Sequence, residues 1–186
     1  MRIIGGKFRS RVLTEFAGKD VRPTSDRAKE ALFNILALKM PNARVLDLFA
    51  GSGNLGLESL SRGAKEVVFN DVSKDSLAIV KKNVTSLKIA VNGEEAKVYN
   101  YDFYTCLDIL RGGFDVIFLD TPYALDIGKT ALETISKKGL LNADGVAVYE
   151  RDEPFTGEVA GLEKYDERKY GKTYFSFFRR EAKNEN

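Results

Sequence analysis

Apolar positions change their period twice along this chain. Residues 1–13 alternate weakly around Gly5-Gly6, which predicts a short strand pair or extended arm. Pro23 disfavours helix before it, and Thr24 or Ser25 can cap a helix beginning there. Ser25 to Lys39 then reads as a helix with Ala28, Leu32, Phe33, Ile35 and Leu36 on its apolar face. From Arg44 onward short apolar runs alternate with helical spacing. Strands are expected at Val45–Phe49, Glu66–Asp71, Ala96–Tyr101, Phe114–Leu119 and Gly145–Glu150. The helices between them are expected at Asn54–Arg62, Lys74–Leu87, near Tyr104–Leu110 and at Asp126–Lys138. Two closing strands, near Leu162–Tyr170 and Thr173–Arg180, flank the two-residue turn candidate Gly171-Lys172. Strands alternating with helices predict an α/β fold with a doubly wound, mostly parallel sheet, and the closing hairpin adds antiparallel pairing at one edge.

Charge adds an asymmetry to this picture. Of the basic side chains, eight lie in residues 1–30 against four acidic ones, while the remainder carries 21 basic and 23 acidic groups. A basic arm on a near-neutral body suits a polyanion, so Arg2, Lys7, Arg9 and Arg11 are phosphate-binding candidates, a solvated tail being the plainer alternative. The organisation expected is a basic arm over 1–22, one domain over 23–181 and a frayed tail over 182–186. No run reaches the roughly 18 apolar residues of a membrane helix, and Met1–Gly6 lacks the apolar stretch of a signal peptide, so the expected location is the cytoplasm. The 186 residues include one cysteine, Cys106, and no histidine. Those counts exclude an internal disulfide, His-containing zinc patterns and Ser-His or Cys-His catalysis. With no acidic cluster to suggest a metal, acid–base work falls to carboxylates, tyrosines or lysines. Cys106 reads as a small buried hydrophobe.

Three local signals carry chemistry. Asp47-Leu48-Phe49-Ala50-Gly51-Ser52-Gly53-Asn54-Leu55-Gly56 lies where the first strand of the alternating region turns into a helix. Glycines there let the backbone approach a ligand, and the helix N-terminus offers free amides in the crevice where open α/β sheets bind ligands. Gly51, Gly53 and Gly56 also satisfy G-x-G-x-x-G, with Asp71 twenty residues past Gly51, so both NAD and S-adenosylmethionine, each with a ribose for an acidic residue, remain open. Second, Asp120-Thr121-Pro122-Tyr123 ends the most apolar strand. The Asp120 carboxylate and the Thr121 carbonyl can accept from an amino group while Tyr123 stacks on a planar ring; a plain strand exit explains the tetrapeptide equally well. Third, Asp102-Phe103 after the third strand can accept an adenine amino group and cover its ring, or be a surface aspartate beside a core phenylalanine. Tyr165 and Lys169 match the Tyr-x-x-x-Lys of short-chain dehydrogenases, but with 8 tyrosines about one such match is expected by chance.

These residues together resemble the bacterial family of small-subunit (16S) ribosomal RNA guanine-N(2) methyltransferases. The likeness runs over nearly the whole chain. It includes Met1-Arg2-Ile3-Ile4-Gly5-Gly6-Lys7, Arg22-Pro23-Thr24-Ser25-Asp26-Arg27, Glu30–Asn34, Leu46–Gly53, Leu57–Ala64, Asp120–Tyr123 and Tyr170-Gly171. The resemblance implies a seven-stranded, Rossmann-like class I methyltransferase sheet, S-adenosylmethionine as donor, no metal, and a flipped-out guanine of ribosomal RNA or the small ribosomal subunit as acceptor, with the protein acting as a monomer. It implies that Asp47, Gly51 and Gly53, with Phe49, surround the methionine part of the donor, that Asp71 takes the ribose, and that Asp102 and Phe103 take the adenine. It places Asp120, Thr121, Pro122 and Tyr123 at the acceptor, and RNA on the arm and on Arg22 and Arg27. An amino methyltransferase acting on DNA or another acceptor, and an RNA-binding protein that keeps the donor pocket without turnover, are the rival readings. One departure stands out. The family usually has Asp-Pro-Pro-Tyr or Asn-Pro-Pro-Tyr, and Thr121 replaces the first proline, which keeps the carbonyl and loses the fixed φ.

Overall fold

The alternation of strands and helices closes into one seven-stranded sheet. The computed structural model describes residues 1–16, 24–121 and 127–182. The strands are β1 (Arg44–Asp47), β2 (Glu66–Asn70), β3 (Ala96–Tyr99), β4 (Phe114–Asp120), β5 (Leu141–Arg151), β6 (Leu162–Tyr170) and β7 (Thr173–Arg180). Their order across the sheet is β3-β2-β1-β4-β5-β7-β6. The first five run parallel, and β7 pairs antiparallel with both β5 and β6. Tyr170 faces Thr173 across Gly171-Lys172, so the hairpin turn falls where its residue types predict.

Side-chain alternation sorts the core into two layers. Val45, Val67, Val116, Phe118, Val148 and Phe177 meet α1 (Asp26–Ile35), α2 (Asn54–Ser61) and α3 (Lys74–Ser86) on one face. On the other, Leu46, Val68, Ile117, Leu119 and Ala147 meet α4 (Phe103–Ile109) and α5 (Ile127–Lys137). Residues buried on both faces make Val116–Leu119 of β4 a continuous apolar run, as a central parallel strand requires. Cys106 is fully buried in the second layer, where burial pushes its thiol up to about 12 and leaves it a packing residue. Among the described residues no helix is long and apolar enough to cross a membrane.

Local signals set the ends. The Ser25 and Ser73 side chains accept from Ala28 N–H and Ser76 N–H and start α1 and α3. Three expectations need correction. The helix expected to run to Lys39 ends at Ile35 and tightens into a 3-10 turn over Ala37–Lys39, just ahead of Pro41. Ile35, expected on its apolar face, is 41% exposed, while Ala28, Leu32, Phe33 and Leu36 are buried as expected and Lys29 joins them. The fifth strand starts at Leu141 rather than Gly145, because Leu141 already pairs with Phe114 ahead of an irregularity in the ladder.

The N-terminal arm is folded against the domain. Arg2 bridges to Val12, and the carboxylate of Glu58, fully buried in α2, accepts from the Ile4 and Gly5 amides at 2.8 and 2.9 Å. The Ser61 hydroxyl accepts from Phe8 N–H and donates to the Gly5 carbonyl. Lys29, also fully buried, lies 3.3 Å from Glu58 and donates to the Arg2 carbonyl and to Asn54 Oδ1; Arg62 donates to Glu58 from the rim. Burial pushes the Lys29 ammonium below its ordinary range against the pull of Glu58.

Removing one side of a buried pair leaves the other charge uncompensated. Glu58→Ala is expected to cost about 3–5 kcal/mol in urea unfolding at neutral pH. A loss below about 1 kcal/mol, the range of exposed pairs, would show that the arm docks without this carboxylate.

Candidate active site

The carboxyl ends of β1, β2, β4 and β5 lie side by side, the position of the ligand crevice in an open α/β sheet, and the glycine loop follows β1 there. Gly51 (φ 53°) and Gly53 (φ 82°) both take the left-handed conformation that favours glycine. A Cβ at Gly53 would press to 3.3 Å on Leu57 and Val80, whereas one at Gly51 would meet nothing within 4 Å, so the loop is packed behind and open in front. Four contacts hold its shape. Asp71 accepts from the Gly51 and Ser73 amides, each at 2.8 Å. Ala50 N–H donates to the Asn70 carbonyl. Asn83 Nδ2 donates to the Ser52 carbonyl and to Thr14, and the Ser52 hydroxyl donates to the Met1 sulfur. The α-amino group of Met1 pairs in turn with Glu15.

Three carboxylates line the adjacent strand ends on the face covered by α1 to α3, Asp47 and Glu150 buried and Asp120 partly exposed. Asp47 ends β1 and accepts from Gly56 N–H at 2.9 Å, one of the free amides of the first turn of α2. Asp120 ends β4, and Glu150 lies opposite it in register on β5. Thr24, just before α1, donates to Glu150 at 2.7 Å across 126 residues of sequence. Burial pushes Asp47 up to about 7 and Asp120 up to about 6. Glu150 is pushed well above its ordinary range by burial first and by the charge of Asp120 second, against the lowering effect of the Thr24 hydroxyl. Among the described residues no salt bridge reaches any of the three. Buried anions without a cation either hold a proton or await a positive ligand.

The structure therefore brings together Asp47, Gly51, Gly53, Asp71 and Asp120. Phe49 and Phe103 join the crevice from the α4 side, their rings 5.9 Å apart, with Tyr104 stacked on Phe103 at 4.0 Å. Asp102 caps α4: its two oxygens accept from the Thr105 amide and hydroxyl, contacts that hold its carboxyl below the ordinary range. Thr121 is buried at the end of β4, and Pro122, Tyr123 and Arg22 lie outside the described residues. Arg2 pairs with Asp26 and Lys7 with Glu95, while Arg9, Arg11 and Arg27 are exposed. Tyr165 and Lys169 sit on β6, a strand rather than the helix a dehydrogenase relay needs. Sequence reasoning missed Glu150, Thr24 and Lys29. Lys29 was detectable as a cation three and four residues before Leu32 and Phe33 on an apolar stripe; the Thr24–Glu150 contact leaves no local signal.

The sheet order, with β7 antiparallel between β5 and β6 and a glycine loop after β1, defines a class I methyltransferase fold. Residues 1–179 match the family described as conserved hypothetical protein 95, and the chain belongs to that family. A Haemophilus influenzae relative named ribosomal RNA small subunit methyltransferase D is 37% identical over 161 residues, covering 83% of this chain and 81% of its own. A solved structure of a Thermus thermophilus hypothetical protein superposes with a TM-score of 0.82 at 29% identity, over 96% of this chain and 99% of that one. The T. thermophilus 16S rRNA N2 G1207 methyltransferase, solved with AdoMet and guanosine, shares the fold with a TM-score of 0.67 at 22% identity, over 89% of this chain and 45% of that one.

The Asp47 carboxyl gives a pH test. Its folded value of about 7 lies above the unfolded one near 3.8, so the native state holds the proton longer and stability falls as pH rises from about 4 to about 7. Keeping that carboxyl ionised costs on the order of 4 kcal/mol. Asp47→Asn, whose Oδ1 can still accept from Gly56, is expected to be more stable than the natural protein at pH 8 and to lose most of that advantage at pH 4. Equal gains at both pH values in urea unfolding would show that Asp47 does not titrate in this range.

Proposed function

We propose that this protein transfers a methyl group from S-adenosylmethionine to the exocyclic amino group of a guanine in small-subunit (16S) ribosomal RNA. The observation that carries the reading is the trio Asp47, Asp120 and Glu150 around an open glycine loop, with no salt-bridge partner among the described residues. A sulfonium donor would bring the missing positive charge, whereas the pyrophosphate of NAD would bring more negative charge to the same place. The residues present fit that donor: Gly51 leaves room in front of the loop, Asp71 stands at the end of β2 where a ribose hydroxyl would lie, and Phe49 with Phe103 offers an apolar side to a ring. The names of the relatives support the acceptor. The Haemophilus protein is named a small-subunit ribosomal RNA methyltransferase, and the T. thermophilus one a 16S rRNA N2 G1207 methyltransferase.

In this reading the donor supplies an electrophilic methyl carbon. The guanine nitrogen forms the new N–C bond as the C–S bond breaks. Asp120 accepts a hydrogen bond from the amine, aims its lone pair, and takes the proton the nitrogen gives up; a carboxyl raised to about 6 suits that work at neutral pH. The Thr121 carbonyl accepts the second amine hydrogen, and Tyr123 stacks on the flipped base. Positioning and exclusion of water supply most of the acceleration. Arm and α1 residues hold RNA phosphates, and the protein works in the cytoplasm as a monomer.

Mass spectrometry of nucleosides from 16S RNA or small subunits, incubated with protein and donor, tests the whole reading. N2-methylguanine is expected, and S-adenosylmethionine, not NAD, is expected to raise the melting temperature. Asp120→Ala is expected to slow single-turnover transfer by at least about 100-fold, the scale of a lost acid–base group, with donor stabilisation only partly lowered. Donor stabilisation without any methylated nucleoside would leave a donor-binding RNA protein, and a methylated DNA base would move the acceptor.

The arm gives a second test. Because residues 1–11 clamp onto buried Glu58, truncation would disturb the fold, so the clean change is at exposed Arg9 and Arg11. Arg9→Ala with Arg11→Ala is expected to weaken RNA binding and reduce the log–log salt slope by about 1.4–1.8, two phosphate contacts' worth, with the unfolding midpoint unchanged. An unaltered slope would place the RNA elsewhere.

A further inference from the structure

Tyr149 stands on β5, buried to 3% exposure and one strand away from Asp120. Its hydroxyl oxygen accepts from the Thr121 hydroxyl at 3.4 Å. The same hydroxyl faces Gly128, the second residue of α5, so closely that a Cβ there would lie 2.4 Å from the oxygen and 2.1 Å from the ring carbon that bears it. Only glycine fits at that position. Thr121 directly precedes residues 122–126, which carry Pro122 and Tyr123, and Gly128 is the second residue after them. One buried side chain thus touches a described residue on either side of that segment. The ring has little freedom of its own: Phe155 packs edge-on at 6.1 Å, and the Arg151 guanidinium lies 5.4 Å from its centroid.

We propose that Tyr149 is a positioning residue for the acceptor side, fixing Thr121 so that its carbonyl is aimed as a proline at that position would aim it. The inference rests on the reading of Asp120 to Tyr123 as the acceptor site. A 3.4 Å contact is long for two hydroxyls. Its weight comes from burial: Thr121, also 3% exposed, cannot exchange this partner for water, so losing it leaves a buried hydroxyl unsatisfied. Proline reaches the same end covalently, because its ring sets φ near about −65°. The residue before a proline must be extended, and Asp120 already is, as the last residue of β4. Threonine at 121 with tyrosine at 149 is thus a side-chain substitute for a backbone constraint.

The test is a rescue. Tyr149→Phe keeps the ring and removes the hydroxyl. It is expected to slow single-turnover methyl transfer at saturating donor by about 5- to 20-fold, the scale of one buried hydrogen bond, while dissociation constants for donor and RNA stay within about twofold. Adding Thr121→Pro to Tyr149→Phe is expected to recover at least about threefold of that loss. Tyr149→Phe with Thr121→Val removes both partners without an orphaned hydroxyl; it is expected to unfold at the natural midpoint and still transfer slowly, which separates positioning from stability. A natural rate in Tyr149→Phe, or a proline variant as slow as its parent, would overturn the proposal. Amide hydrogen exchange at Asp120 and Gly128 reads the anchor without methyl transfer. Faster exchange in Tyr149→Phe is expected whatever the natural acceptor proves to be, so a failed guanine assignment and a failed anchor give different results, and unchanged exchange would overturn the anchor itself.

Discussion

A carboxylate with no exposed surface, Glu58 in the middle of α2, holds together the parts of the chain that the sheet alone does not. It accepts from two amides of the arm, faces the Lys29 ammonium of α1, and takes a third donor from Arg62. Lys29 passes the connection on to the Arg2 carbonyl and to Asn54, the first residue of α2, directly after Gly53. Arm, first helix and glycine loop are therefore one bonded assembly. This changes the meaning of the basic N-terminus. Its charges stand on a folded surface, and Arg9 and Arg11 project from it while Arg2 and Lys7 are paired. A buried ion pair is a weak source of stability, since desolvation opposes the Coulomb gain. Its structural value here is register: two backbone amides of the arm can satisfy that carboxylate in one position only.

The sheet was legible in the sequence because parallel strands buried on both faces read as apolar runs, continuous in Val116–Leu119 and broken only by Asp47 in Val45–Phe49. The hairpin was legible through Gly171-Lys172, and the start of α1 through Pro23, which left the cap open between Thr24 and Ser25 until the structure gave it to Ser25. The glycine loop, Asp71 and Asp120 were legible because their chemistry is local: each sits within a few residues of a strand end. What escaped was what only tertiary packing creates. Lys29 lies among the basic residues of the first thirty, yet it occupies the inward stripe of its helix. Glu150 has the look of a strand's polar end until the register sets it opposite Asp120 and the start of α1 brings Thr24 to it. Asp102 has the residue type to accept from a ligand, and the structure shows both of its oxygens capping a helix.

Two populations of acid distinguish the scaffold from the candidate site. Glu58 has its counter-charges inside the protein: an ammonium, a guanidinium and two amides surround it. Among the described residues Asp47, Asp120 and Glu150 have one amide and one hydroxyl between them, and the charge of Asp120 raises the proton affinity of the other two. Local rules are broken in folded proteins chiefly where function requires it, at a cost the rest of the fold offsets. The scaffold acid is neutralised by its own chain and therefore fixes geometry. The three acids at the strand ends are neutralised by protons or by something that enters the crevice, and therefore respond to what binds. Because the trio spans β1, β4 and β5, a cation placed over the glycine loop would lower the proton affinity of Asp120 at the same moment that it brought a methyl group within reach of it. Donor charge and acceptor activation would then be coupled through the carboxylates themselves, with no moving part required.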